Sequence, residues 1–255
     1  MERRSMRGKL HISTIDADSG SLARRYGVGL EIAEFCWAHN LDIDRESHIA
    51  TCREIMQNAA SFWFHAPFAE LAACSIDPKV RTITAERYME SITLAAELGI
   101  SRIVIHGGYI PKVYFPEYYV EASVDFWKEL LPRLSKNVLI ALENVMEPGP
   151  ETLIQIVQGV NDERLGLCLD VGHANCGYSK TPPENWIEPM APFLMHVHLH
   201  NNDGVDDLHA HLGCGTIDMK KLLDRLLLSC PKATYTIENQ HSYDSLVWLK
   251  ENGYL

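Results

Sequence analysis

The 255-residue chain lacks the signatures of several large protein classes. Its seven cysteines are odd in number and form no C-x-x-C pair, so neither a disulfide framework nor a zinc-ribbon spacing is visible. No apolar run reaches about 18 residues, and no apolar segment follows the basic start MERRSMRGKL, which argues against a membrane span and a signal peptide. No Pro-, Gly- or Ser-rich tract divides the chain. These absences predict a cytoplasmic protein with reduced cysteines, no membrane partner and one domain over residues 1–255.

Positive charge is also scarce. The chain has 23 Lys and Arg against 34 Asp and Glu, a formal net charge of −11. Proteins that bind nucleic acid use clustered Lys and Arg to neutralise phosphates, so we expect no nucleic-acid partner. Neither a G-x-G-x-x-G after the first strand-like run nor a P-loop occurs, which disfavours dinucleotide- and nucleotide-binding sheets.

The chain does contain a repeated alternation of short apolar or β-branched runs with longer amphipathic stretches. The runs predicted as strands are Lys9–Ile15, Val28–Phe35, Ser61–Ala66, Arg102–His106, Val138–Glu143, Leu165–Asp170, Leu194–His200 and Thr234–Glu238. The stretches predicted as helices are Arg45–Ala60, Val80–Leu98, Pro116–Leu134, Pro150–Gln158, Ile217–Leu228 and Ser242–Glu251. This pattern is typical of a parallel βα array, and eight strands favour a single closed (β/α)8 TIM barrel over an open doubly wound sheet.

Ionisable residues stand at the ends of five of the predicted strands. They are His65, His106, Glu143, Asp170 and Glu238. The seventh run, H-V-H-L-H, places His196, His198 and His200 on one face because side chains alternate along a strand. The C-terminal ends of barrel strands form the rim on which active sites are built. Imidazole and carboxylate without thiolate suit zinc, manganese, iron or magnesium, so we expect a divalent metal ion at this rim.

Further candidates lie beside these strand ends. D-V-G-H puts His173 just beyond the sixth strand, and D-L-H puts Asp207 and His209 in the loop after the seventh. Short polar loops of this kind can fold over a strand end and add ligands. Glu31, in G-L-E-I-A-E-F, points inward either toward a substrate or into a salt bridge within the barrel mouth.

An aromatic segment, Tyr109–Tyr119, follows the fourth strand. It either packs on neighbouring loops or forms a lid or pocket wall against which a sugar could stack. Lys112 is its only cation and is a candidate partner for a substrate phosphate; Trp63 and Trp186 are lesser candidates for substrate contact. No phosphate-binding Gly motif follows the seventh or eighth strand, which favours a non-phosphorylated substrate.

At these residues the sequence resembles the xylose-isomerase-like TIM-barrel superfamily, which includes sugar isomerases and epimerases, inosose-processing enzymes and the endonuclease IV family. The matching segments, in chain order, are H-A-P-F at His65, V-I-H-G-G at His106, A-L-E-N-V at Glu143, C-L-D-V-G-H-A-N at Asp170, H-V-H-L-H-N-N-D-G-V-D-D-L-H-A-H-L-G-C-G-T-I-D from His196 and T-I-E-N at Glu238. The sequence departs from the sugar branch at Asn201, where an aspartate usually follows H-L-H.

The resemblance implies a particular set of metal ligands. The site shared by the ketose epimerases implies one ion held by Glu143, Asp170, His198 and Glu238. Endonuclease IV adds five ligands and binds three metals. The positions that match those five are His65, His106, His173, Asp207 and His209. We therefore expect one to three divalent ions, zinc or manganese above all.

These residues favour a metal-dependent isomerase or epimerase that acts on a small sugar or sugar phosphate by proton transfer through an enediolate. Glu143 and Glu238 would be the acid/base pair, and the residues expected to contact substrate are His173, Glu31, Lys112 and Trp63. The alternatives are a metal-dependent phosphoesterase of the endonuclease IV kind, a dehydratase or lyase of an inosose-like substrate, and a metal-binding barrel without activity. The oligomeric state stays open, with a homo-oligomer among the alternatives.

Overall fold

Eight short strands pair in chain order, each parallel to the next, and β8 pairs with β1 to close a barrel. The strands of this computed structural model, which describes residues 5–255, are β1 Leu10–Ser13, β2 Gly29–Ile32, β3 Phe62–His65, β4 Arg102–His106, β5 Leu139–Glu143, β6 Leu165–Asp170, β7 Leu194–Leu199 and β8 Thr234–Ile237. Closure sets Leu10 opposite Tyr235 and Ile12 opposite Ile237. The predicted (β/α)8 barrel is confirmed, and all eight strands lie within the predicted runs.

Helices cover the outside of the barrel. They are α1 Ser19–Tyr26, α2 His39–Asp42, α3 Arg45–Met56, α4 Pro78–Glu97, α5 Pro116–Leu130, α6 Glu151–Val160, α7 Ile187–Met190, α8 Met219–Ser229 and α9 Tyr243–Glu251. The six predicted helices are observed with small shifts at their ends. Within residues 5–255, none is both long and apolar enough to cross a membrane.

Three helices were not predicted from the sequence, and α1 is the longest of them. Its sequence, SGSLARRY, has only eight residues and few apolar side chains, too few to mark a helix in the sequence. The helix ends at Gly27, which adopts the left-handed conformation with φ 67° and donates its N–H to the Ala23 carbonyl. Helices α2 and α7 have four residues each, too few to show a period.

The alternation along each strand separates two environments. Residues facing outward, such as Ile12, Phe64 and Ile105, join a continuous apolar core beneath the helices. Inside the barrel, Trp63 packs with Val104, Ala141 and Cys168 in a separate small cluster. The small side chains around Trp63 leave room for its indole ring, so the barrel has a packed floor below the rim.

We expect Trp127→Ala to lower the free energy of unfolding by about 3–5 kcal/mol, because it leaves a large cavity between α5 and its neighbours. Trp127 is 1% exposed and its ring stacks on Tyr88 with centroids 6.0 Å apart. Chemical denaturation measures the change. Phe115→Ala, at a side chain that is 79% exposed, is the control and should stay within about 0.5 kcal/mol of the parent. Equal losses in both variants would contradict this packing.

Candidate metal centre

The barrel brings all nine candidate ligands to the C-terminal ends of its strands. Strands β3, β4, β5 and β6 end in ligands, β7 contributes one, and another follows β8 directly. The remaining three lie in a 3₁₀ turn after β6 and in the loop between β7 and α8. In chain order the nine are His65, His106, Glu143, Asp170, His173, His198, Asp207, His209 and Glu238.

The first group is formed by Glu143, Asp170, His198 and Glu238, all of them buried. One ligand atom from each residue lies within 4.8 Å of the others. Nδ1 of His198 is 3.3 Å from Glu143, 3.7 Å from Asp170 and 3.4 Å from Glu238. Three carboxylates and one imidazole therefore converge on a single point.

Glu143 also belongs to a second group, with His65 and His106. Nε2 of each of these histidines lies 3.4 Å from Glu143 Oε2, while Oε1 faces His198. The third group is His173, Asp207 and His209. Asp207 Oδ2 is 3.2 Å from Nε2 of His173 and 3.0 Å from Nε2 of His209.

Main-chain carbonyls orient several of these imidazoles. Nδ1 of His65 lies 2.9 Å from the Ala66 carbonyl, and Nδ1 of His173 lies 2.9 Å from the Asn144 carbonyl. Nδ1 of His209 lies 2.7 Å from the Glu238 carbonyl. A proton on Nδ1 leaves the Nε2 lone pair free to bind a cation. All three rings then present Nε2 to the carboxylates of their own groups.

The residues of the first group fit a divalent cation. Both carboxylate oxygens of Glu143 and Nδ1 of His198 are buried and have no hydrogen-bond partner. Buried polar atoms are rarely left in this state unless they serve a ligand or a catalytic purpose. A positive ion among three carboxylates and an imidazole would satisfy them, and the donor chemistry suits zinc or manganese.

Electrostatics within the cluster favours charged side chains. Burial opposes ionisation of Glu143, but the surrounding imidazoles, His198 above all, outweigh burial and hold the pKa of Glu143 well below its ordinary value. Burial likewise opposes protonation of His173, yet Asp170 and Asp207 raise the pKa of that imidazole well above its ordinary value. A metal ion that binds here displaces these protons from the histidines.

Glu31 lies beneath the first group and supports it. Its Oε1 is 3.0 Å from His198 Nε2, and its Oε2 accepts a hydrogen bond from Thr236 and faces His196 at 3.0 Å. The carboxylate is fully buried. A proton held on His198 Nε2 by Glu31 leaves Nδ1 free to face the other three ligands.

His200, which the sequence analysis placed on the same face of β7 but gave no role, holds Asp170. Its Nε2 is 3.0 Å from both carboxylate oxygens. The space for this ring exists only because residue 172 is glycine: a Cβ on Gly172 would overlap the imidazole of His200. Alternation in H-V-H-L-H was the signal that could have identified this residue.

Asn201 stands where the sugar branch usually has an aspartate, and its side-chain amide makes hydrogen bonds within the structure. Its Nδ2 donates to the carbonyls of Leu212 and Ile217, and its Oδ1 accepts from the Ile217 amide. An aspartate would lose both donor bonds. The amide at this position therefore ties down the loop that carries Asp207 and His209.

A pocket of about 460 Å³ opens beside the candidate ligands. The ligands that reach its surface are His65, His106, Glu143, His173, Asp207, His209 and Glu238. Tyr109, Ile110 and Tyr114, from the aromatic segment after β4, line it as well, and so do Phe68 and Met146, which were not singled out from the sequence. A second pocket of equal volume, between Cys176 and the start of α8, contains no candidate ligand.

Of the four residues expected to contact substrate, only one lines the pocket. His173 lines the pocket, whereas Glu31, Trp63 and Lys112 do not. Trp63 lies in the barrel floor, where it stacks on His196 with ring centroids 4.2 Å apart. Lys112 is exposed and left-handed at φ 66°. Alternation along a strand showed which side chains point inward but not how deep they lie.

Residues 22–239 match the sequence model of the xylose isomerase-like TIM barrel family. The chain belongs to this family. Among its relatives, an uncharacterized protein of Methanocaldococcus jannaschii is 31% identical over 193 residues, which are 71% of this chain and 65% of that protein. A probable endonuclease 4 of Mycobacterium tuberculosis is 25% identical over 202 residues, 74% of this chain and 77% of the relative.

Solved structures with the same fold cover nearly all of the chain. A D-tagatose 3-epimerase-like protein superimposes with a TM-score of 0.79 and 26% identity over 96% of both chains. A protein of Thermus thermophilus, whose crystal was soaked with ZnCl2, superimposes with a TM-score of 0.75 and 28% identity over 96% of this chain and 97% of that one.

We expect Glu31→Gln to weaken divalent metal binding about 10- to 100-fold, since the amide removes the charge that orients His198. Isothermal titration of zinc or manganese into the metal-free protein measures the change. Glu34→Gln is the matched control: Glu34 is bonded to Thr14, outside the ligand groups. Unchanged metal affinity in a folded Glu31→Gln protein would show that the contact between Glu31 and His198 does not support the site.

Proposed function

We propose that the protein is a metal-dependent isomerase or epimerase that moves a proton next to the carbonyl of a sugar-like substrate. One observation carries the proposal: Glu143 and Glu238 both line the pocket and both lie beside the same nitrogen of His198, at 3.3 and 3.4 Å. They come from β5 and the end of β8, which are not neighbours in the barrel. Two carboxylates that approach one centre from different strands can serve opposite faces of a substrate.

The four residues of the first group would hold the ion. A divalent cation bound there supplies a Lewis acid that polarises the carbonyl and adjacent hydroxyl and stabilises negative charge on their oxygens. Glu238 would accept a proton from the carbon next to the carbonyl, and Glu143 would return one to the opposite face. His173, at the pocket surface, would orient a substrate hydroxyl.

The surroundings of the pocket support a small substrate without phosphate. Among the described residues that line it, none is Lys or Arg. The likeness to a D-tagatose 3-epimerase-like protein over 96% of the chain points to the same class of reaction. Zinc or manganese remain the proposed metals.

We expect Glu238→Gln to keep the fold and to lower turnover by at least about 100-fold, because an amide cannot accept the proton. A panel of ketoses and aldoses in deuterated water, followed by mass spectrometry, measures exchange next to the carbonyl. Glu70→Gln is the matched control, since Glu70 also lines the pocket but belongs to no ligand group, and it should retain activity. A folded Glu238→Gln protein with parent activity would refute the assignment.

Phosphoester hydrolysis is the second candidate function. It is favoured by the way Glu143 links the first group to His65 and His106, with a third group adjacent. Several ions close together can activate a water and hold a leaving oxygen. The likeness to a probable endonuclease 4 also supports this candidate. Three tightly bound zinc ions per chain would favour it, and one exchangeable ion would favour the isomerase.

We expect weak, non-specific binding to duplex DNA and no efficient cleavage at abasic sites. The net charge is −11, and residues 34–44 and 66–78, the segments that follow β2 and β3, contain no Lys or Arg. Phosphate neutralisation is the main source of DNA affinity. Incision of an abasic duplex by metal-loaded protein measures the activity. Efficient incision that is lost in Glu143→Ala would overturn the isomerase proposal.

A further inference from the structure

Beyond the candidate ligands, the pocket lining is almost entirely apolar. The loops after β3, β4 and β5 and the first turn of α4 supply it. These residues are Phe68, Leu71, Ala72, Val80, Tyr109, Ile110, Tyr114, Val145 and Met146. The pocket thus has two parts: a polar end made of ligands and an apolar part made of loop residues.

The two parts are directly continuous. The ring of Phe68 stacks on that of His106 with centroids 4.5 Å apart, and it meets His65 edge to face at 5.9 Å. The apolar surface therefore begins at the second ligand group. It extends outward to Ile110, whose side chain is 44% exposed. A molecule that binds the ligands in this pocket can lie along this surface.

The apolar part offers few partners to substrate hydroxyls. Its polar side chains are Ser75, Glu70 and the two tyrosines. Glu70 is exposed at the edge. Among the described lining residues there is no Asn, Gln, Thr, Lys or Arg. A hydroxyl that leaves water without gaining a partner weakens binding roughly ten- to a hundredfold.

We propose that the substrate is amphiphilic: an α-hydroxy carbonyl end that reaches the candidate ligands, and an apolar aryl or alkyl body that lies along the loop residues. This inference rests on the proposed function and narrows its substrate class. A chain with a hydroxyl on every carbon would leave several of them unpartnered. A phosphate at the far end would find no Lys or Arg among the described lining residues.

Three hydroxamic acids with the same metal-chelating head test the inference. They are acetohydroxamic acid, benzohydroxamic acid and the polyhydroxylated xylonohydroxamic acid. Isothermal titration into the zinc-loaded protein should show that benzohydroxamic acid binds at least about tenfold more tightly than either of the others, since only it carries an apolar body.

Two substitutions in one loop localise the effect. Ile110→Asn should remove most of the advantage of benzohydroxamic acid and leave acetohydroxamic acid unchanged. Val113→Asn is the matched control, because Val113 is 55% exposed and does not line the pocket. Met146→Gln gives a second, independent test of the apolar part, with circular dichroism to verify the fold of each variant.

The outcomes separate this inference from the proposed function. If the polyhydroxylated compound binds as tightly as benzohydroxamic acid or more so, the amphiphilic substrate is wrong and the isomerase proposal stands. The same holds if Ile110→Asn and Met146→Gln leave the affinities unchanged. If the protein holds neither zinc nor manganese, or holds the metal but binds none of the three compounds, both proposals are overturned.

Discussion

The buried carboxylate of Glu143 is the constraint on which the candidate site depends. It is 1% exposed, neither of its oxygens has a hydrogen-bond partner, and four imidazoles surround it at 3.3–3.4 Å. An unpaired carboxylate in such a place would cost several kcal/mol. The surrounding positive charge offsets that cost. The carboxylate in turn stabilises the charged form of the histidines, so neither would be stable there without the other. The ligand groups are therefore one electrostatic unit and not three independent clusters.

The barrel floor keeps this unit in position. Trp63 fills the interior among small neighbours, and His196 stacks on its ring while facing Glu31. Glu31 in turn faces His198 from below. A chain of packed and polar contacts thus runs from the apolar floor to the rim, and it limits the rotation of the one imidazole that all three carboxylates of the first group approach.

Much of this arrangement could be predicted from the sequence. The strand positions followed from short apolar runs, and the rim ligands followed from their places at the strand ends, because parallel closure brings those ends together. The place of Trp63 in the barrel floor could not be predicted, since alternation shows direction but not depth. For Glu31 the sequence left a substrate contact and a salt bridge open, and the structure has the salt bridge. The apolar part of the pocket was predicted only where aromatic residues marked it: Phe68 and Met146 lie on other loops, whose paths no periodicity encodes. Helix α1 was also not predicted, because its sequence has too few apolar residues.

Barrel closure has a consequence for the order in which the molecule forms. Strands β1 and β8 meet through contacts such as His11 with Tyr235, which are 224 positions apart. Contacts so distant along the chain carry a high loop-closure entropy and form late. During synthesis, eight of the candidate ligands emerge before Glu238, which follows the last strand. The first ligand group is complete only when the barrel closes, so a bound ion would stabilise the finished barrel by mass action and would not nucleate its early strands.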